Sequence, residues 1–475
     1  MQVCVIGTGY VGLVTGTCLA HAGHHVICVD NNESKVRSMQ AGIPPIYEPG
    51  LEDLMLAGMK ADRLRFTTDL AGSIADSDII FIAVGTPPLS SGASDTRYVE
   101  AVSRSIGRSL DKGYKVIVNK STVPIGSGDW VRWLILDEAR KHSAIDDVSF
   151  DVVSNPEFLR EGSAIYDTFN PDRILLGSSS SRAISLMQEL YAPIANRQFA
   201  EESEGPAIPI LATDLSSAET IKYAANAFLA TKISFINEVA NICDLVGADV
   251  TQVANGIGLD SRIGPKFLQA GLGWGGSCFP KDVAALIHTA EDYGYDAPLL
   301  RAATHVNREQ RLRAVTRLQQ TLKILKGKTI GLLGLTFKPD TDDLRDTPAQ
   351  DISAALVRLG AQVKAYDPIY SGSDRPCELS NIQVVDTPTE LAVDCDALIL
   401  VTDWQHFKHL DYSALATHMR SARIVDGRNC LDPQAMAAAG FHYMSIGCPD
   451  IGPPVRLGET PAITLTPALA ALATV

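Results

Sequence analysis

Gly7-x-Gly9-x-x-Gly12 is the feature that most limits what this chain can fold into. It comes directly after Gln2-Val3-Cys4-Val5-Ile6, a β-rich run, and opens a helical pattern. Asp30 ends the next β-rich run, 18 residues beyond the last glycine. Glycines in that register allow a tight turn and bring a pyrophosphate close to the helix N-terminus, while the acid takes ribose hydroxyls. Both strands and the acid are in place, so the pattern points to dinucleotide binding rather than to a bare structural turn. Asn31 stands where an arginine would favour a 2′-phosphate, so NAD is expected over NADP, with Lys35 and Arg37 close by.

The remaining chain extends that start. At roughly 150 residues per domain, 475 residues are about three domains. Candidate strands at Val3–Gly7, His25–Asp30, Asp78–Gly85, Tyr114–Asn119, Phe150–Ser154 and Arg173–Gly177 alternate with helical patterns, as in a parallel sheet covered on both faces. This Rossmann-like, NAD-binding domain is set at 1–205, with Glu201-Glu202-Ser203-Glu204-Gly205-Pro206 as its exit. From Ser216 to Gly247 the pattern is purely helical: Ser216 and Glu219 have capping-box spacing and Gly247 supplies a stop. Such a helix spans roughly 48 Å. It is apolar on more than one face (Ile221, Phe228, Leu229, Ile236, Ile242) and so requires burial between domains or against a second subunit. Helical sequence continues to 325, giving a central domain at 206–325. At Lys328 the α/β pattern restarts, with strands at Thr329–Gly334, Gln362–Asp367, Asp396–Thr402 and Arg423–Asp426 and a helix opened by Thr347-Pro348 and closed by Gly360. This second Rossmann-like domain, 326–448, has only Gly331-x-x-Gly334, a degenerate copy of the first glycine loop. Prolines mark an irregular tail at 449–475. The expected fold class is α/β: two Rossmann-like doubly wound domains joined by a long central helix with a helical dimerisation region.

Charge narrows the ligands. Lys and Arg number 41 against 55 Asp and Glu, a net −14, which excludes nucleic acid and anionic membranes as general partners. An anionic ligand must be met by a local cationic pocket, for which Arg262, Lys266, Lys338, Arg345 and Arg428 are candidates. Each of them also reads as ordinary surface charge. No run of 18 apolar residues occurs and a strand begins at the first residues, so neither a transmembrane helix nor a secretion signal is expected. Nine cysteines without a Cys-x-x-Cys pair argue against a zinc site and a disulfide scaffold; no metal is expected, and the expected compartment is the reducing cytoplasm.

Gly275-Gly276-Ser277-Cys278-Phe279-Pro280-Lys281-Asp282 carries the next signal. Pro280 suits a first helical turn, which puts Cys278 just before a helix N-terminus, where the dipole and Lys281 would favour thiolate. A buried small cysteine at a helix start is the plain alternative. Lys222 and Asn226, at i and i+4, share one face of the long helix and could hold and polarise one oxygen. A solvated helix face is the other reading, though a lysine in so apolar a helix needs a partner or a task. Lys120-Ser121-Thr122-Val123-Pro124 and Asn155-Pro156-Glu157-Phe158-Leu159-Arg160-Glu161-Gly162 come after strands, at the carboxyl ends where open parallel sheets bind ligands. Thr122 and Glu157 are thereby placed to address a nicotinamide, unless the prolines and glycine serve only the turns.

These motifs, with Tyr10-Val11, Tyr47-Glu48-Pro49-Gly50-Leu51, Lys222–Glu238 and Phe337–Arg345, resemble in order and spacing the UDP-glucose/GDP-mannose dehydrogenases over about 1–450. Ala224–Leu229 and Gly276–Pro280 are similar to the branch that takes UDP-glucose, with Trp274 a departure from the usual Tyr or Phe. The resemblance implies a four-electron oxidation of a primary alcohol to a carboxylate with two NAD. It implies that Cys278 forms a thiohemiacetal and then a thioester, that Lys222 and Asn226 stabilise oxyanions, and that Asp282, Thr122 and Glu157 position or activate water. It further implies NAD contacts at Gly7, Gly9, Tyr10, Val11, Gly12, Asp30, Lys35, Thr86, Thr122, Glu161, Lys281 and Arg345. Contacts to UDP-glucose are implied at Glu157, Phe158, Leu159, Lys222, Asn226, Arg262, Phe267, Leu268, Gln269, Ala270, Gly271, Gly275, Lys338 and Arg428. A homodimer or higher homo-oligomer built on the long helix is implied too, with Arg262 serving the neighbouring subunit. The same chemistry on GDP-mannose or another UDP-hexose, and a non-catalytic regulator that binds NAD and a nucleotide sugar, remain the alternatives.

Overall fold

The computed structural model describes residues 1–110, 113–142, 149–198, 205–370, 379 and 381–452. Two parallel sheets dominate it. The first comprises β1 (Gln2–Ile6), β2 (His25–Val29), β3 (Leu64–Thr67), β4 (Ile79–Ile82), β5 (Tyr114–Asn119), β6 (Ser149–Ser154), β7 (Ile174–Gly177) and β8 (Ile210–Thr213). Their order is β3-β2-β1-β4-β5-β6-β7-β8, with only the β6–β7 pair antiparallel. All four residues of β4 and of β7 are buried, which is why these strands read as continuous apolar runs. The order reverses between β1 and β4, the crevice where such sheets bind ligands. The sheet takes its last strand, β8, beyond the stretch expected to be the exit, of which 201–204 lie outside the described residues.

The second sheet repeats the plan with β9 (Thr329–Leu333), β10 (Gln362–Tyr366), β11 (Gln383–Val384), β12 (Ala397–Leu400), β13 (Arg423–Asp426) and β14 (His442–Ser445), ordered β11-β10-β9-β12-β13-β14. Gly331 proves to be a strand residue of β9 rather than part of a glycine loop. A Cβ there would press on Leu398 at 2.6 Å, so its role is packing. Residues 453–475, most of the expected tail, lie outside the described residues.

Between the sheets runs the long helix, Leu215–Val246, stopped by Gly247 at φ +74°. Its N-cap differs from the expected capping box. Asp214, at the end of β8, accepts from the Ser217 amide at 2.8 Å, so Ser216 is not the cap. Glu219 is turned away to accept from the amides of Gly126 (2.7 Å) and Gly128 (2.8 Å) and from Ser154 Oγ (3.0 Å). It thus ties the helix to the ends of the first sheet. One face of the helix is buried (Ala218, Lys222, Asn226, Ala230, Asn237, Ala240). Along another, Phe228, Phe235 and Ile242 recur every seven residues and are exposed in the single chain, at 66%, 52% and 53%. No helix among the described residues is long and apolar enough to cross a membrane.

Candidate active site

The glycine loop is built as its spacing requires. Gly7 has φ +100°, and its amide donates to Val29 O at 2.8 Å, closing the turn onto β2. A Cβ on Gly12 would sit 1.9 Å from Gly7 O, so no larger residue fits that helix–turn approach. At Gly9, by contrast, a Cβ would meet nothing within 4 Å. Gly9 is also the side-chain-free N-cap of the helix Tyr10–His21, which leaves first-turn amides without a side-chain cap. That open cradle fits a pyrophosphate. Asp30 Oδ2 accepts from Thr8 N (3.0 Å) and Thr8 Oγ1 (2.6 Å), and Oδ1 accepts from Asn32 N (2.9 Å). Burial works to raise the Asp30 carboxyl, but these bonds and the charge of Lys35 hold it below its ordinary value. Lys35 itself is exposed, Val11 is half-buried at the start of the helix, and Thr86 Oγ1 donates to Thr122 O at 2.7 Å.

The thiol lies where the second motif puts it. Cys278 is the N-cap of the helix Phe279–Asp292, with Pro280 in its first turn, and the Asp282 amide donates back to Cys278 O at 2.8 Å. Asp282 is fully buried and accepts from Asn226 Nδ2 (2.6 Å) and Lys281 Nζ (2.5 Å). One helical turn away, Lys222 Nζ donates to Glu157 Oε1 at 3.0 Å, while Glu157 Oε2 accepts from the Leu159 amide at 2.6 Å. Lys222 and Asn226 thus share a face, but each is committed to a different carboxylate. The expected thiolate-favouring field is not what results. Burial, then the charges of Glu157 and Asp282, push the Cys278 thiol up, and Lys222 only partly counters them. Lys281, on which the expectation relied, is engaged with Asp282. Burial opposes the Lys222 ammonium, yet Glu157 and Asp282 hold its pKa above the ordinary lysine value. Burial opposes the Glu157 carboxylate too, and Lys222 and the Leu159 amide bring it to a net lowered value. Deleting either partner of a pair buried this deeply leaves a bare charge, at a cost of roughly 3–5 kcal/mol.

A third group joins the two sheets. Glu161 accepts from Ser277 Oγ (3.0 Å), Thr341 Oγ1 (3.3 Å) and Arg345 (3.4 Å). Burial first, then the neighbouring Asp343, push the Glu161 carboxyl up to about 7. Arg345 Nε also donates to Asp343 at 2.8 Å. Glycine is enforced nearby, because a Cβ on Gly275 would lie 2.2 Å from Asp346 O and one on Gly276 (φ +82°) 2.6 Å from the Phe337 ring. Arg428 is held by three main-chain carbonyls, donating to Val401 O (2.6 Å), Gly273 O (3.3 Å) and Phe337 O (3.2 Å). Burial lowers its pKa, as it does for Lys338, whose ammonium lies 5.4 Å from the Phe337 ring centre. Gly271 packs against Gly427 O, Leu268 and Ala270 are buried, Gln269 is exposed, and Phe267, at φ +65°, sets its ring 6.4 Å from that of Phe279. Phe158 lies 5.2 Å from Lys222 Nζ.

Arg262 is not brought into this cluster. Its side chain is 87% exposed and pairs with Asp260 at 2.6 Å. Trp274 is turned into the core, where Nε1 donates to Ser234 Oγ at 3.0 Å. Three further groups take part to which the motifs gave no catalytic or binding role. Glu48 accepts from Tyr10 OH and from the amides of Gly162 (2.7 Å) and Ala164 (2.6 Å). Glu219, an acid three residues before Lys222 in an apolar helix, carried a signal that was legible. Lys120 is the third. Among the described residues no group of three His, Cys, Asp or Glu side chains could hold a metal.

A dinucleotide cradle on one sheet and a half-buried thiol under the charge of two carboxylates define a class, the nicotinamide-dependent oxidoreductases. Family models make it particular: the NAD-binding domain of the UDP-glucose/GDP-mannose dehydrogenase family matches residues 1–195, its central domain 216–309 and its UDP-binding domain 331–433. The chain belongs to the UDP-glucose/GDP-mannose dehydrogenase family. It is 48% identical to the UDP-glucose 6-dehydrogenase TuaD of Bacillus subtilis over 95% of this chain and 94% of that one. It is 45% identical to the UDP-glucose 6-dehydrogenase of Rhizobium meliloti over 95% and 100%. Among solved structures it is similar to a UDP-glucose dehydrogenase from Pyrobaculum islandicum, with a TM-score of 0.85, 37% identity and coverage of 94% and 98%.

Proposed function

We propose that the protein oxidises UDP-glucose to UDP-glucuronate, a four-electron oxidation centred on Cys278. The observation that carries this reading is the Cys278 thiol at a helix start beside Lys222–Glu157 and Asn226–Asp282. Relatives named for UDP-glucose support the choice of sugar. NAD, held by the Gly7–Gly12 loop and Asp30, supplies a hydride acceptor twice per sugar. The balance is RCH2OH + 2 NAD⁺ + H2O → RCOO⁻ + 2 NADH + 3 H⁺.

Hydride removal alone needs no thiol; oxidising an aldehyde without releasing it does. Cys278 Sγ bonds to the aldehyde carbon as the C=O π bond opens and the thiol proton passes to its oxygen, giving a thiohemiacetal that the second oxidation turns into a thioester. Water then breaks the C–S bond and restores the thiol. Lys222 Nζ and Asn226 Nδ2 are the donors for the oxyanion of each addition. Thr122, Lys222 and Glu219 line a cavity of about 10 Å³, near the lower limit for one water, and Glu157 and Asp282, hydrogen-bonded to Lys222 and Asn226, are assigned as the bases. The elevated thiol pKa fits a nucleophile that stays protonated until the aldehyde and the Lys222 ammonium are together. Arg428 and Lys338, cations with no carboxylate hydrogen-bonded to them among the described residues, are assigned to the diphosphate. The apolar stripe Phe228, Phe235, Ile242 is assigned to a second copy of the chain, which would also give Arg262 a place to act.

Two NADH are expected per UDP-glucose consumed, measured by absorbance against sugar loss; a ratio of one with free aldehyde would remove the thioester route. Cys278→Ala is expected to abolish acid formation and leave NAD binding within about threefold of wild type. Phe228→Asp with Phe235→Asp is expected to give a monomer by light scattering.

A further inference from the structure

Lys120 lies just past β5 and is 8% exposed, yet among the described residues no carboxylate is hydrogen-bonded to it. Its Nζ donates to Asn155 Oδ1 at 3.1 Å, an oxygen that also accepts from Tyr191 OH at 2.6 Å, and it lies 6.0 Å from the Tyr191 ring centre. Asn155 is fixed in turn by donation to Leu175 O at 2.8 Å. A buried ammonium resting on one amide oxygen is costly, and it persists where its charge serves something else. The carboxylate it faces is that of Glu157, which also faces Lys222. The Glu157 charge favours both ammoniums, while that of Lys222 disfavours the one on Lys120. Burial, opposed by Glu157, brings Lys120 down to about 8.

The local charge balance shows what this arrangement is short of. Lys120, Lys222 and Lys281 face Glu157 and Asp282, three cations to two anions, while Cys278 is held toward the neutral thiol and the nearby Glu219 carboxylate is engaged by the Gly126 and Gly128 amides and Ser154 Oγ. Further out, Arg345 and Lys338 face Glu161 and Asp343, two against two. The inner cluster is balanced only when one more negative charge forms, as a Cys278 thiolate or as the oxyanion made on attack. Fixed charge complementary to one that develops during reaction is the arrangement that lowers a barrier.

We propose that Lys120 is a positioning residue for the oxidation, acting through Glu157: it takes up part of that carboxylate's charge, so that the Lys222 ammonium and the pocket around Cys278 accept a developing negative charge. Without Lys120, Glu157 would claim Lys222 entirely and repel a thiolate. The inference rests on Cys278 being the nucleophile, and its test does not depend on turnover.

The test is alkylation of Cys278 by iodoacetamide in the full-length protein, followed on the Cys278 peptide by mass spectrometry from pH 6 to 10. Lys120→Met is expected to slow alkylation at pH 7 by about tenfold, the effect of one pKa unit on thiolate fraction, with the difference fading above about pH 8 as Lys120 itself loses its proton. Asn155→Asp, which neutralises Lys120 in place, is expected to act in the same direction even if Lys120→Met does not fold. Lys120→Arg, which keeps the charge, is expected to stay near wild type. A loosened pocket would instead speed alkylation at every pH. Unchanged or faster alkylation in both Lys120→Met and Asn155→Asp overturns the proposal. Full turnover by Cys278→Ala would overturn the catalytic reading instead, so the two failures are distinct.

Discussion

The two sheets carry the same clasp and use it for different ends. In the first, the Gly7 amide donates to Val29 O at 2.8 Å, and Asp30, the next residue, takes the Thr8 amide. In the second, the Gly334 amide donates to Tyr366 O at 2.8 Å, and Asp367, again the next residue, takes the amides of Leu335 (2.7 Å) and Thr336 (3.3 Å). Gly7 and Gly334 match even in backbone, at φ +100° and +97°. They part in the next stretch of chain. After Gly7 the helix starts at Tyr10, three residues on, with the bare Gly9 as its cap; after Gly334 the next helix starts at Pro348, fourteen on. Thr336 fills the place of Gly9 and is fully buried. A phosphate cannot approach a helix start there. The extra chain instead carries Phe337, Lys338, Asp343 and Arg345 across to Glu161 and Arg428. One fold keeps its loop short for a cofactor, and the other extends it into the cleft between the sheets.

That difference can be broken most severely at Gly12. Gly12→Val must move Gly7 O, and NAD binding is expected to fall by more than about 100-fold by calorimetry, as for a steric block at a phosphate cradle. Binding of UDP to the second fold is expected to persist. If both ligands are lost together, the two loops do not act separately. A smaller effect separates the aspartates. Asp367 is buried and clamps the amides of Leu335, Thr336 and Ile369, so Asp367→Ala is expected to cost about 3 kcal/mol in denaturant unfolding, the penalty for orphaned buried donors. Gly9→Ala sharpens the contrast from the other side. Its Cβ enters open space, so stability is expected to change by less than about 1 kcal/mol while NAD binding weakens at least about tenfold.

Local patterns made the fold legible, and distance in sequence hid the rest. The strand runs that are buried on both faces, such as β4 and β7, were readable because nothing polar interrupts them. The edges were not. β3 alternates buried Leu64 and exposed Arg65 and β11 has two residues, so neither forms an apolar run, while β8 is apolar but only four residues long and directly follows Pro209. Cys278 could be placed at a helix start because Pro280 announces one. Its charge environment could not be foreseen. The groups that raise its pKa arrive from Glu157 and Asp282, joined to Lys222 and Asn226 across 65 and 56 residues of chain. The capping box misled for a related reason: Ser216 and Glu219 fit it locally, but Glu219 is needed by the amides of Gly126 and Gly128.

The finest separation of the two clasps is by pH. Asp30 is held below its ordinary pKa, so the unfolded chain takes up protons more readily there than the folded one. Its contribution to stability is therefore complete above about pH 4 and is lost as pH falls through the lower folded value. At Asp367 burial outweighs the amides of Ile369, Leu335 and Thr336, and the carboxyl is raised. The folded state then holds the proton more tightly, and stability declines as pH rises from about 4 through the raised value. Wild type minus Asp30→Asn should thus shrink toward acid, and wild type minus Asp367→Asn should shrink toward neutrality, in urea unfolding from pH 3 to 7. Slopes of the same sign would mean that the second aspartate is as well solvated as the first. The repeated clasp would then differ only in the length of the loop beyond it.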